Sequence, residues 1–280
     1  MLRKRKARDG EKLFASEEGV DRYMKQPMVF PPPQIEFIAK NASQLDLGSK
    51  WKVFAKTLLD PLFWLASRQR LSQLDTSRLL QDPLGMLNEP IGWGWYKWLK
   101  LQQVASEIQE LIERLQRLKP RRIVEIGSAY GGSFLIWAEL ASEQVVSVDL
   151  PQNISFFTAR QKMWRYLLRH HQGKRFAMLA ADSHQEDIVR AVSNILEGEQ
   201  CDFLFIDGDH TSGGVEQDFV RYRPLVRPGG LIAFHDILPH RNPADSEVDV
   251  FWNKVRTREK SAEIIADPNQ GWGGIGLIWQ

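Results

Sequence analysis

Cysteine is almost absent: Cys201 is the single one in 280 residues. That excludes an intrachain disulfide framework and a thiolate zinc cage, and it fits a reducing compartment, so a cytoplasmic location is expected. Charge of one sign is not in excess either. Lys and Arg number 37 against 35 Asp and Glu, which leaves no electrostatic reason to expect nucleic acid as a partner. Long apolar runs are missing. The longest stretch, residues 53–66, is interrupted by Lys56 and Asp60, and it is too short to cross a bilayer, so no membrane span is expected. The basic opening MLRKRKARDGEK lacks the apolar segment that a secretory signal requires. The G-x-G-x-x-G turn of a dinucleotide site is also lacking, which disfavours a pyrophosphate cradle.

What is present has an ordinary globular balance, 43% hydrophobic and 26% charged, enough to build a sizeable core. Residues 1–49 are polar and weakly periodic, with Pro31, Pro32 and Pro33 in a row, and read as a loosely ordered leader. Residues 50–100 carry Trp51, Trp64, Trp93, Trp95 and Trp98, half of the ten tryptophans. Side chains of that size need a partner surface. The spacing is helical through Leu80, and Gln81 to Gly94, rich in proline and glycine, reads as a loop. This is a helical cap or interface segment, suited to gripping a ligand or to a homo-oligomer contact.

Residues 101–280 form the remaining unit. Apolar residues recur on one helical face from Leu99 to Leu118, and Pro120 stops the helix. Short β-branched runs then alternate with amphipathic stretches: RIVEIG, QVVSVD, RFAMLAAD, CDFLFID, GLIAFHD, AEIIAD and GIGLIWQ are seven strands. Strict alternation implies right-handed crossovers and an α/β fold, a doubly wound, mostly parallel Rossmann-like sheet behind an N-terminal helical extension. No helix separates the last two strands, so they are expected to pair antiparallel at an edge.

In such a sheet ligands bind beyond the carboxyl ends of the strands. The first strand ends in Glu125, Gly127 and Ser128, and Gly131 opens a helix whose amino terminus favours negative charge. The second ends in Asp149, placed to accept both hydroxyls of a ribose, and the third in Asp182, Ser183 and His184, near an adenine or the rim of the site. The fourth delivers Asp207, Asp209 and His210; the fifth delivers His235 and Asp236. A lone aspartate after a strand often caps the next helix, a role that suits Asp182. Three carboxylates at neighbouring strand ends repel one another unless a cation or shared proton intervenes. Oxygen donors suit magnesium, calcium or manganese, and the adjacent imidazoles admit a transition metal.

Together VEIGSAYGGS, VVSVDLP, ADSH, FLFIDGDHTSGGVEQDF and RPGGLIAFHD resemble the class I S-adenosylmethionine-dependent methyltransferases. The similarity is strongest to the branch of cephalosporin hydroxylase-like proteins and macrocin and sugar O-methyltransferases. It runs from about Leu101 to Gln280. The resemblance implies S-adenosylmethionine held by Glu125, Gly127, Ser128, Gly131 and Asp149, with Asp182 and Ser183 near adenine. It also implies a divalent metal, Mg2+ first, held by Asp207 and Asp236 with His235 as a further ligand, and Asp209 or His210 as base. Members of the family often have a carboxylate where this chain has His235.

The implied activity is O-methylation of a small hydroxylated acceptor, a sugar, polyketide or phenol. A sulfonium methyl is already activated, so the protein has to align donor and acceptor and remove a proton. Two other readings stay open: a non-haem iron hydroxylase using His210, His235 and one carboxylate, and a non-catalytic nucleoside-binding module with a Trp-rich scaffold.

Overall fold

The computed structural model describes residues 76–88, 90–91, 96–97, 99–150, 167, 170–171 and 173–280. The leader, the five tryptophans of residues 50–100 and most of residues 151–172 lie outside the described residues. Two short helices come first, α1 (Thr76–Gln81) and α2 (Pro83–Leu87), then an antiparallel pair, β1 (Pro90–Ile91) and β2 (Tyr96–Lys97). The helix α2 replaces part of the loop expected from Gln81 to Gly94. Proline is tolerated in the first helical turn, where its missing N–H has no partner to lose. Here Asp82 caps the turn, its Oδ1 accepting from Gly85 N at 3.0 Å.

Helix α3 (Ala105–Leu118) starts later than its apolar pattern suggested. Leu99 and Leu101 are buried without being helical, because Asn88 pairs with the backbone of Leu101: Nδ2 donates to its O at 2.8 Å and Oδ1 accepts from its N at 2.9 Å. The helix ends at Lys119 in the left-handed conformation, just before Pro120.

There follow β3 (Arg122–Ile126), α4 (Gly132–Leu140), β4 (Gln144–Asp149), β5 (Arg175–Ala180), α5 (Glu186–Ile195), β6 (Cys201–Ile206), α6 (Ser212–Tyr222), β7 (Val226–His235), α7 (Val248–Val255), β8 (Ser261–Ile264) and β9 (Ile275–Trp279). The expected seven-stranded sheet forms in the order β5-β4-β3-β6-β7-β9-β8. Its first five strands are parallel, and β9 runs antiparallel to both β7 and β8. Alternate residues feed two cores. Ile123, Val145, Phe203 and Phe205 pack with α3 and α4, while Val124, Val146, Leu204 and Phe234 pack with α5, α6 and α7. Strand order reverses between β3 and β6, so the carboxyl ends of those strands form the crevice where ligands bind.

Candidate active site

At the switch point Gly127 has φ +85°, and a Cβ there would lie 2.1 Å from Asp207 O. Only glycine permits that approach. Gly127 N–H donates to Val148 O and Asp207 N–H to Ile126 O, each at 2.8 Å, which fuses the ends of β4, β3 and β6. Gly131, at φ 91°, caps α4. At Gly132 a Cβ would stand 2.7 Å from Leu99 O, so that glycine lets residues 99–103 fold over the turn. Ser128 reaches the end of β4, its N and Oγ 3.3 and 3.4 Å from Asp149 Oδ2. The glycine turn and the expected ribose acid are therefore adjacent.

A cleft of about 420 Å3 opens beside this turn, with Gly127, Ser128 and Ser133 on one side and Asp207, His210, His235 and Asp236 on the other. His235, buried at the end of β7, lies between two carboxylates: Nδ1 is 3.2 Å from Asp207 Oδ1 and 3.4 Å from Asp236 Oδ1. Burial alone would lower its pKa, but the charges of Asp207 and Asp236 outweigh it and push it up to about 9. The repulsion expected among these acids is thus offset in part by an imidazolium of the chain itself. His210 Nδ1 stands 3.0 Å from Asp236 Oδ2, and that hydrogen bond raises its pKa against the opposing effect of burial. Burial works to raise the Asp236 pKa, yet its bond to His210 and the neighbouring histidines bring it well below the usual range. Asp236 is also held in the left-handed region at φ 63°, where Gly273 N donates to its Oδ1 at 2.9 Å.

Donor atoms of Asp207, His210 and Asp236 lie within 4.8 Å of one another. One oxygen from each carboxylate and one imidazole nitrogen make a set that fits a divalent cation. His235, whose Nδ1 lies against both carboxylates, is not in that group. Among the described residues the cluster therefore supplies one imidazole, and the two-histidine, one-carboxylate triad with His235 is not assembled.

Other expected site residues lie away from the cleft lining. Glu125 shares its face of β3 with Ile123, so its carboxyl is buried beneath α4, where Oε1 accepts from Trp137 Nε1 at 2.8 Å. Desolvation, only partly relieved by Ser133, Trp137 and Ser147, raises its pKa to about 8. The folded state thus keeps a proton that the unfolded state loses, and stability falls as pH rises from the ordinary carboxyl pKa to about 8. Glu125→Gln, which does not titrate, should gain in melting temperature relative to the parent over that window and level off above it. A pH-independent difference in thermal melts would contradict this. Asp209 Oδ1 accepts from Thr211 N at 2.8 Å, and its carboxylate packs against Gly214, where a Cβ would lie 2.1 Å from Asp209 Cγ. It braces the start of α6. Asp182 does not cap α5; its Oδ1 accepts from His184 N at 2.9 Å and the N-cap is Gln185. Ser183 lends its carbonyl to Tyr222 OH at 3.0 Å.

The cleft also holds residues the sequence did not mark: Lys100, Gln103, His240, Asp245 and Trp272. Gln103 Nε2 donates to Asp207 Oδ2 at 3.1 Å, and His240 Nε2 is 3.2 Å from Asp236 Oδ1. They come from loops with no local signature; the G-W-G-G run around Trp272 was the one available hint.

The sheet thus has the order 3-2-1-4-5-7-6 in strand sequence, with a glycine turn after its first strand beside an acid that ends the second. Residues 124–237 match the family Methyltransf_24, described as a methyltransferase domain. Over 127 residues, 42% of this chain and 13% of the relative, the sequence is 30% identical to the uncharacterized protein y4gI of Sinorhizobium fredii. Over 153 residues it is 28% identical to a probable caffeoyl-CoA O-methyltransferase of Dictyostelium discoideum, spanning 55% of this chain and 64% of that one. The chain thus spans less than two thirds of either curated relative. Among solved structures it is similar to the O-methyltransferase from Bacillus cereus in complex with SAH, at 20% identity and a TM-score of 0.47, over 73% of this chain and 90% of that one. No helix among the described residues is long and apolar enough to cross a membrane.

Proposed function

We propose that the chain catalyses methyl transfer from S-adenosylmethionine to a hydroxyl of a small acceptor. The observation that carries this reading is the cleft itself, in which a glycine turn faces an imidazole–carboxylate pair across the switch point. The sulfonium donor supplies an activated methyl group; the chain's residues bind, orient and deprotonate. Asp149 accepts the ribose hydroxyls, while Gly127, Ser128 and Gly131 hold the methionine end against α4. His210, oriented by Asp236 through Nδ1, takes the acceptor proton at Nε2, and the carboxylates stabilise the imidazolium that results. His210 is favoured over Asp209 as base because Asp209 is occupied at the start of α6.

Asp207 and Asp236 would hold a divalent metal, with His210 as a third ligand only in place of its role as base, and such an ion would lower the pKa of a bound hydroxyl. Mg2+ suits the two carboxylates, and the imidazole also admits manganese. Transfer of labelled methyl from S-adenosylmethionine to a panel of sugars, phenols and polyketides, with chelator or with added Mg2+ or Mn2+, tests the reading. Labelled product in at least one case is expected; no transfer to any acceptor under any metal condition would count against it. Activity unchanged in chelator would remove the metal alone.

Asp149→Ala should weaken S-adenosylhomocysteine binding by about tenfold to a hundredfold, the worth of about 1.5–3 kcal/mol for hydrogen bonds to a charged group. Calorimetry giving the parent affinity for this variant would remove Asp149 from the site.

A further inference from the structure

Trp272 is the one indole among the cleft's described lining residues, and the chemistry above does not use it. It is 39% exposed, a large apolar side chain left open at a polar cleft, with its ring edge-on to His235 at 6.3 Å between centroids. The loop that carries it is built with care. Gly271, Gly273 and Gly274 have φ of 76°, 75° and 77°, a conformation that side-chain-bearing residues resist. Leu238 N–H donates to Gly273 O at 3.0 Å and Arg241 N–H to Gly271 O at 2.9 Å, so Trp272 stands across from the segment that bears His240.

Beneath the loop lies Glu107 of α3, 1% exposed. Its Oε1 accepts from Ala266 N at 3.0 Å and Gln270 Nε2 at 2.8 Å, and its Oε2 accepts from Gly274 N at 2.8 Å. A carboxylate is costly to bury, and these donors repay it by fixing one loop geometry. That geometry also aims Gly273 N at Asp236.

We propose that Trp272 is the acceptor-binding wall, taking the flat face of a hydroxylated ring, and that Glu107 is the positioning residue that sets the wall. The inference rests on the methyl-transfer reading and names its acceptor class. An indole face packs against an aromatic ring or against the apolar C–H face of a pyranose. Around it Lys100, Gln103, His240 and Asp245 offer partners for ring hydroxyls, the usual division of labour in a ligand cleft. An acyclic polyol would leave the indole face uncovered.

The test uses the full chain labelled with 5-fluorotryptophan and saturated with S-adenosylhomocysteine, the Trp272 resonance being assigned by its loss in Trp272→Phe. Phenol, methyl glucoside and glycerol are titrated separately. Movement of the Trp272 line by phenol alone assigns an aromatic acceptor, by methyl glucoside alone a sugar, and by both a ring face without further selection. A line that moves with glycerol as much as with the rings, or with none of the three, overturns the proposal. Trp272→Phe should change S-adenosylhomocysteine affinity by less than about threefold. If the parent fails to bind S-adenosylhomocysteine, the methyl-transfer reading fails; if it binds while the Trp272 line is inert, only the acceptor wall fails. Glu107→Gln should shift the Trp272 line without ligand and weaken probe binding severalfold, about the effect of one lost hydrogen bond, with S-adenosylhomocysteine affinity kept. Glu107→Asp, whose shorter side chain cannot reach all three donors, gives the same readout if Glu107→Gln does not fold. An unmoved line and unchanged probe affinity in the folded variant would overturn the positioning role.

Discussion

Turnover in His210→Asn is expected to fall by about 10²–10⁴, the usual contribution of a positioned general base, while S-adenosylhomocysteine still binds. The imidazole is fixed by Asp236 Oδ2 at 3.0 Å from Nδ1, which leaves Nε2, 3.8 Å from Asp207 Oδ1, to receive a proton. Asparagine offers a hydrogen bond to Asp236 but no basic nitrogen. The loss should therefore fall on kcat and spare donor affinity. Once an acceptor is known, single-turnover rates separate the two. A variant that keeps most of its rate would shift the base to another group or to bound hydroxide. A variant that loses metal along with rate would place His210 among the ligands, as its distance from Asp207 and Asp236 allows.

Gly127→Ala should be the most damaging small substitution at the switch point. Its Cβ would stand 2.1 Å from Asp207 O and 2.7 Å from Gly208 Cα, at a backbone φ of +85°. Both contacts are with backbone, so no side-chain rotation relieves them. Strain at a left-handed position and overpacking each cost about 1–3 kcal/mol, against a total stability of roughly 5–15 kcal/mol for a domain. Moreover, the displaced group is Asp207, so a variant that folds should also lose S-adenosylhomocysteine affinity and turnover. Thermal melting and calorimetry measure the two effects. Parent-like values in both would show that β3 and β6 can part at no cost, contrary to the packing described.

The sheet was legible because each strand is a short apolar run closed by a polar residue, and no helical pattern lies between the last two. The antiparallel β8–β9 pair follows from that gap. Less legible was the segment before α3, where Pro83 starts a helix in place of breaking one and Leu101 is buried through Asn88 rather than through helical periodicity. The strand-end residues Gly127, Asp207, His210, His235 and Asp236 gather in the cleft because parallel strands deliver their carboxyl ends to one side. Glu125 goes elsewhere for a reason the same strand contains: counting by twos from Ile123 sends it under α4. Asp209 turns back on Thr211 because an aspartate two residues before a helix cap readily bonds the backbone there. Gln103, His240 and Trp272 reach the cleft only through tertiary contacts, which no local pattern encodes.

Calorimetric titration of the full chain with S-adenosylhomocysteine, set against NAD as a control, measures whether the cleft at the switch point takes the methyl donor. Saturable binding of S-adenosylhomocysteine at one site is expected, weakened in Asp149→Ala, with no heat from the dinucleotide, since the turn after β3 lacks the G-x-G-x-x-G spacing that a pyrophosphate needs. Binding of NAD in place of S-adenosylhomocysteine, or binding of neither by a chain whose melting shows it folded, would contradict the methyl-transfer reading.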